Sequence, residues 1–69
     1  MNEKEDLILY KMKEGETVFL RMFQDSGFQV HKYNYEFLLY IIPQYGGTPY
    51  FVGCFQSIEK LIDGMNKHE

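Results

Sequence analysis

The last dozen residues carry the clearest hydrophobic pattern of the chain. From residue 58 onward, apolar side chains recur at positions i, i+3, i+4 and i+7, which is the spacing of one helix face. These side chains are Ile58, Leu61, Ile62 and Met65. Ser57 precedes them and is a residue type that commonly caps a helix N-terminus. The pattern therefore predicts a helix over residues 57–67.

The middle of the chain has the composition of β-strands. Aromatic and β-branched residues dominate residues 28–55, and turn-forming residues interrupt them at Asn34 and over 43–49. This punctuation predicts three strands, which are Phe28–Tyr33, Glu36–Ile42 and Tyr50–Phe55. Since the connections are too short for crossovers, the strands should form an antiparallel meander.

The first 27 residues fit two interpretations. Apolar residues and Gly15 trace a helical stripe, which predicts one broken helix or two consecutive helices over 3–26. The competing interpretation is a β-hairpin in which Leu7–Met12 pairs with Thr17–Phe23. The preferred fold is a single α+β domain over residues 1–69. It has helical N-terminal segments, a three-stranded antiparallel meander and a C-terminal helix packed on the sheet.

Two-residue turns at Asn34-Tyr35 and Gly46-Gly47 would fix the strand register and sort side chains onto two faces. The first face, an ordinary core, would hold Phe28, Val30, Phe37, Leu39, Ile41, Val52 and Cys54. The second face would hold His31, Tyr33, Leu38, Tyr40, Ile42, Phe51 and Phe55, with Gly53 opposite Tyr40. We therefore expect both faces of the sheet to be apolar.

A second apolar face suggests an interaction surface, because large exposed apolar patches on soluble proteins usually mark binding sites. The candidate partner-binding residues are Tyr33, Leu38, Tyr40, Ile42, Phe51 and Phe55. In the alternative, the helical segments divide between the two faces and both faces are core. The two alternatives differ in whether the chain's own helices cover these side chains.

The charge distribution changes this picture in one respect. The net charge is −3, and residues 28–55 carry only Lys32 and Glu36 as charged side chains. The same stretch contains nine of the twelve aromatic residues. Aromatic side chains on a sheet could stack nucleic-acid bases, but the few basic residues are scattered and outnumbered by acids. Nucleic-acid binding, or mimicry of nucleic acid by the acidic surface, is therefore the secondary hypothesis.

The sequence contains no constellation that indicates catalysis. Cys54 is the only cysteine, so it forms no internal disulfide, and with two distant histidines it does not make a zinc site. In the predicted register it lies in the core, while His31, the possible base, lies on the opposite face. We therefore expect no enzymatic activity, no cofactor, no bound metal and no small-molecule substrate.

The expected location is the cytoplasm, because the N-terminus lacks the pattern of a secretory signal and the solitary cysteine suits a reducing compartment. The longest apolar run, Phe37–Ile42, is too short to cross a membrane. Small domains without disulfides or metals often gain stability by association. The expected function is thus a protein-binding module, either a small inhibitor or adaptor of another protein or a self-associating homodimer.

Overall fold

The computed structural model describes residues 3–23, 26–43 and 46–68. The elements are α1 (Glu3–Tyr10), β1 (Thr17–Phe23), β2 (Ser26–Tyr33), β3 (Glu36–Pro43), β4 (Tyr50–Phe55) and α2 (Ile58–Lys67). The four strands form one antiparallel sheet in the order β1-β2-β3-β4. The predicted α+β class is confirmed, and the sheet has one strand more than predicted. Residues 24 and 25 of the predicted N-terminal helix lie outside the described residues.

The additional strand takes the place of the second half of the predicted N-terminal helix. The prediction of helix over 3–26 is wrong for β1, which pairs with β2 and points Val18 and Leu20 toward the core. Cross-strand hydrogen bonds and this period-two burial outweigh the helical spacing of the same apolar residues. The competing hairpin was right for Thr17–Phe23 and wrong for Leu7–Met12, most of which is helix α1.

The β2–β3 hairpin has the predicted register. Tyr33 pairs with Glu36, and the two turn residues Asn34 and Tyr35 have φ values of 56° and 65°. The carboxylate of Glu14 accepts hydrogen bonds from the amide groups of both turn residues, the second at 3.1 Å. A side chain from the α1–β1 connection therefore holds a turn whose backbone is left-handed and costly for residues other than glycine.

The β3–β4 register differs from the prediction. Tyr40 pairs with Phe51 rather than with Gly53, and a β-bulge at Val52 shifts the next pair to Leu39 and Gly53. The connection between the strands is longer than the two-residue turn that was assumed, and the bulge inserts one more unpaired residue. Because a one-residue shift exchanges the two faces of a strand, the residues after the bulge lie on the faces opposite to those predicted.

Both helices pack on the same side of the sheet. One cluster joins apolar side chains from α1 and the segment after it, from one face of the sheet, and from α2. Its buried members are Leu9, Met12, Leu20, Phe28, Val30, Phe37, Leu39, Leu61 and Met65. Gly64 lets α2 approach β4 closely, because a Cβ atom at Gly64 would lie 2.7 Å from Cζ of Phe55.

A second bulge, in β1, turns Arg21 toward the helices. The register with β2 shifts between Leu20 and Phe23, and Arg21 has a left-handed φ of 51°. Its Nε donates to the two carboxylate oxygens of Glu5 at 3.0 and 2.8 Å, and a terminal guanidinium nitrogen donates to Oδ1 of Asn66 at 2.7 Å. The side chains of Arg21 and Glu5 are only 14% and 4% exposed. The ion pair therefore links β1 to α1, and the hydrogen bond to Asn66 links β1 to α2.

Helix α2 agrees with its prediction. Ser57 stands before the helix in an extended conformation, and its Oγ accepts a hydrogen bond from the amide of Lys60 at 3.2 Å. Leu61 and Met65 are fully buried on the side that faces the sheet. The helix continues through Gly64 to Lys67, because the buried glycine packs against β4.

Candidate functional site

The sheet side opposite the helices is the candidate site. Strand side chains alternate between the two sides, so the residues between the core positions point away from both helices. We name this surface the open face. Its residues are Thr17, Phe19, Gln29, His31, Tyr33, Glu36, Leu38, Tyr40, Ile42, Phe51 and Cys54.

Large aromatic side chains on the open face are exposed to solvent. Phe19 is 62% exposed, Tyr33 61% and Phe51 51%. Tyr40 is half-buried between its neighbours, and its ring centroid lies 5.3 Å from that of Phe51 in a tilted arrangement. Aromatic rings that remain in water forgo the stabilisation that burial gives. The open face therefore retains apolar surface that folding alone does not use.

The strand register arranges the centre of the open face in two neighbouring rows that cross all four strands. The aromatic row is Phe19, Gln29, Tyr40 and Phe51, in the order β1 to β4. The small row is Thr17, His31, Leu38 and Cys54, in the same order. On each strand except β2, the aromatic row carries the larger side chain.

Two side-chain hydrogen bonds involve polar groups of the open face, one near its centre and one at its end. Oγ1 of Thr17 and Nδ1 of His31 share a hydrogen bond of 2.7 Å. At the end of the sheet, Oε2 of Glu36 accepts a hydrogen bond from Nε2 of Gln56 at 3.2 Å. None of the open-face residues is a lysine or an arginine. The centre of the face therefore lacks lysine, arginine and carboxylate side chains.

Met22 extends the apolar surface beyond the open face. The bulge in β1 brings its side chain across Gly27, where a Cβ atom would clash with the Met22 sulfur. Gly27 pairs with Ile42 of the open face, and Met22 itself is 68% exposed. The absence of a side chain at Gly27 therefore allows a flexible thioether to continue the face toward one end of the sheet.

Five of the six predicted partner-binding residues lie together on the open face. They are Tyr33, Leu38, Tyr40, Ile42 and Phe51. Phe55 is the exception, because the bulge at Val52 places it on the helix side, where it packs against the core. The prediction for Cys54 is wrong in the opposite sense: it was expected in the core and is exposed on the open face.

The sequence-based selection missed the contribution of β1. Phe19 and Thr17 belong to the open face, and Met22 lies beside it, yet all three fell within the predicted helix. The available signal was the alternation of Thr17 and Phe19 with Val18 and Leu20, which is the period of a strand rather than of a helix.

Cys54 and His31 lie in the same row of the open face, not on opposite faces as expected. The strand that carries Leu38 separates them, which puts their backbones about 10 Å apart at the usual strand spacing. This separation is too large for a hydrogen-bonded nucleophile and base. Among the described residues, no three His, Cys, Asp or Glu side chains are grouped so that they could hold a metal ion.

A shallow groove lies on the other side of the molecule, between α1 and α2. It is lined by Asp6, Ile58, Glu59 and Ile62. Its walls are mainly apolar, with a carboxylate contributed by each helix. Nothing in the described part of the chain adds a cation, a nucleophile or a buried unpaired polar group to it.

Comparison with known proteins adds no further constraint. No protein-family model matches the chain, and neither a curated protein nor a solved structure matches it. Neither of the two helices in the described ranges is long and apolar enough to cross a membrane.

Proposed function

We propose that this chain is a non-catalytic protein-binding module that docks another protein, or a second copy of itself, on the open face. As a small inhibitor or adaptor, it would act by occupying a surface of its partner. The observation that carries the proposal is the placement of both helices on one side of the sheet, which leaves Phe19, Tyr33 and Phe51 uncovered.

The composition of the open face supports a protein partner. Tyrosine and phenylalanine are enriched in protein interfaces, where they bury a large area and lose little side-chain entropy. The centre of the face around Leu38 and Tyr40 carries no acidic or basic side chain apart from His31, while Glu36 lies at its end. Protein interfaces usually keep charged side chains out of their centre and place them at the rim.

Cys54 bears on where such a module would work. It is an exposed free thiol beside Leu38 on the open face. A thiol in this position persists in a reducing compartment and is oxidised outside it. A cytoplasmic location therefore fits the proposed use of this surface.

The second candidate function is binding of single-stranded nucleic acid. The exposed aromatic rings of the open face favour it, and the lack of basic residues on that face disfavours it. Phosphate neutralisation supplies most of the non-specific affinity for nucleic acid, and the open face contains no lysine or arginine. Arg21, beside the face, forms an ion pair with Glu5 on the helix side. Fluorescence polarisation of a labelled oligonucleotide at about 20 mM salt, where screening is weak, decides the matter. Binding that Phe51→Ala abolishes would favour this candidate, and no binding at this salt concentration would rule it out.

The proposal is tested with a charge placed on the open face and an equal charge placed elsewhere. Phe51→Lys puts a cation in the aromatic row, and Tyr10→Lys makes the same kind of change at a 78% exposed aromatic residue on α1. Both changed residues are exposed, so both variants should keep the circular dichroism spectrum and thermal midpoint of the wild type.

Two measurements report binding. Sedimentation equilibrium detects association of the pure protein, and affinity capture from native cells detects other partners. We expect Phe51→Lys to lose the association or capture that wild type and Tyr10→Lys retain. If wild type neither self-associates nor captures any protein in a manner sensitive to Phe51→Lys, the proposed function is wrong.

A further inference from the structure

We infer that the occupant of the open face is a second copy of this chain, packed face to face with the first. This inference rests on the proposed function and specifies its partner. The two sheets would be related by a two-fold axis that runs across the strands and passes between the aromatic row and the small row. The aromatic row of each copy would then lie over the small row of the other.

The two rows fit each other in size and polarity. The proposed axis places Phe51 over the partner copy's Cys54, and Phe19 over the partner copy's Thr17. Each of these contacts joins a large ring to a small side chain, which is the condition for two sheet faces to interdigitate. An isologous contact repeats each pair twice, so one complementary pair of rows is enough to form the whole interface.

The two remaining positions of the rows match in polarity and not in size. On β3, Tyr40 would face the partner copy's Leu38, which joins two apolar side chains at the centre of the interface. On β2, Gln29 would face the partner copy's His31, so the polar groups of the two rows meet each other. The polar group that would face an apolar ring is the hydroxyl of Thr17, and it already shares a hydrogen bond with His31.

The charge of the molecule gives association with a second copy a salt dependence opposite to that of binding to an oppositely charged partner. The net charge is −3, but the open face has its carboxylate, Glu36, only at the end of the sheet. Two copies would therefore repel each other through their outer surfaces and not through the contact itself. Because added salt screens this repulsion, self-association should strengthen as salt rises, whereas binding to an oppositely charged partner would weaken.

The size of the face comes close to the lower limit for a specific interface. Four strands about 4.8 Å apart, each about seven residues long at about 3.4 Å per residue, give a footprint on the order of 450 Å². Two such footprints remove about 900 Å² from water, and the projecting rings of Phe19 and Phe51 add to this area. The total is close to the roughly 1,000 Å² that is the lower limit for a specific interface. A second copy would thus need most of the face, with Glu36 at its solvated edge.

The first experiment measures mass and Cys54 reactivity together on the pure protein. Sedimentation equilibrium between about 1 and 500 µM should show the mass rising from 8.3 kDa to twice that value. Labelling of Cys54 by a maleimide should slow at least tenfold over the same range, because the thiol lies within the proposed contact. Phe51→Lys should remain monomeric and react at the fast rate, whereas Tyr10→Lys should behave as wild type.

The second experiment exchanges the sizes of the two contacting residues. Phe51→Cys alone removes the ring, and Cys54→Phe alone places two rings against each other, so each should weaken dimerisation at least tenfold. The double variant Phe51→Cys, Cys54→Phe restores one large and one small side chain at each contact. Its dissociation constant should return to within about threefold of wild type.

The outcomes separate this inference from the proposed function. A pure protein that stays monomeric while its capture of another protein is lost in Phe51→Lys overturns the second copy and leaves the protein-binding function standing. A dimer in which Cys54 keeps its monomer reactivity, or in which the exchange variant is no better than its single variants, overturns the proposed face-to-face geometry. A monomer with no Phe51-sensitive partner overturns both.

Discussion

Replacement of Glu5 by alanine should cost this small protein a large part of its stability. The carboxylate is 4% exposed and lies against Nε of Arg21, whose side chain is 14% exposed. Removing one partner of a buried ion pair typically costs 3–5 kcal/mol, because the other charge is left without compensation. Arg21 retains its hydrogen bond to Asn66, so we expect the lower end, about 3 kcal/mol.

The assay is urea unfolding followed by far-ultraviolet circular dichroism. For Glu5→Ala we expect a lower midpoint with an unchanged dependence on urea, which indicates a change in stability without a change in the surface exposed on unfolding. The loss should persist in about 0.5 M NaCl, because screening acts weakly on buried pairs.

A double-mutant cycle isolates the ion pair from other effects. Arg21→Met keeps a long side chain and the same left-handed backbone, so it removes the charge without relieving the strain at φ 51°. The double variant Glu5→Ala, Arg21→Met should lose much less stability than the sum of the two single losses, because neither charge is left buried without its partner. A loss below about 1 kcal/mol for Glu5→Ala, or one that salt abolishes, would show that the pair is solvated and refute this reasoning.

Three further predictions concern stability and use the same assay. Gly64→Ala should destabilise the protein by about 1–3 kcal/mol, because the added Cβ would lie 2.7 Å from the ring of Phe55. Alanine is the better helix former, so a gain in stability would contradict the close packing of α2 on β4. Ser57→Ala should cost about 1 kcal/mol through loss of the N-cap, and Ser57→Asp should cost nothing. Glu14→Ala should cost about 0.5–1.5 kcal/mol by removing the acceptor of two exposed turn amides, and Glu16→Ala, a nearby acid with a single local hydrogen bond, should cost less.

Local signals were sufficient where the chain folds on its neighbours in sequence. The N-cap at Ser57 and the helical spacing after it predicted α2, and Asn34-Tyr35 predicted both the β2–β3 turn and its register. Strand β4 was also predicted with its observed bounds, Tyr50–Phe55. In each case the deciding residues lie within one turn or one strand of each other.

Signals that depend on distant contacts were not sufficient. Phe19 and Met22 fit a helix stripe as well as a strand, and pairing with β2 settles the choice. The sequence contains no residue that predicts the bulge at Val52. Gly53 lies next to it, but a single glycine also occurs in regular strands. This one inserted residue is the reason that Phe55 was assigned to the binding surface and Cys54 to the core.

Because both helices pack on one side of the sheet, the strand residues fall into two sets. One set forms the core and determines folding, and the other faces outward and contributes little to it. Interior positions such as Leu39 and Phe28 have no surface exposure, so changes there threaten folding itself. Outward positions of the sheet, such as Phe19 and Phe51, tolerate exchange within the roughly 1 kcal/mol span of strand preferences. Natural selection, or a combinatorial library, can therefore rewrite one whole side of this small scaffold while its interior stays as it is.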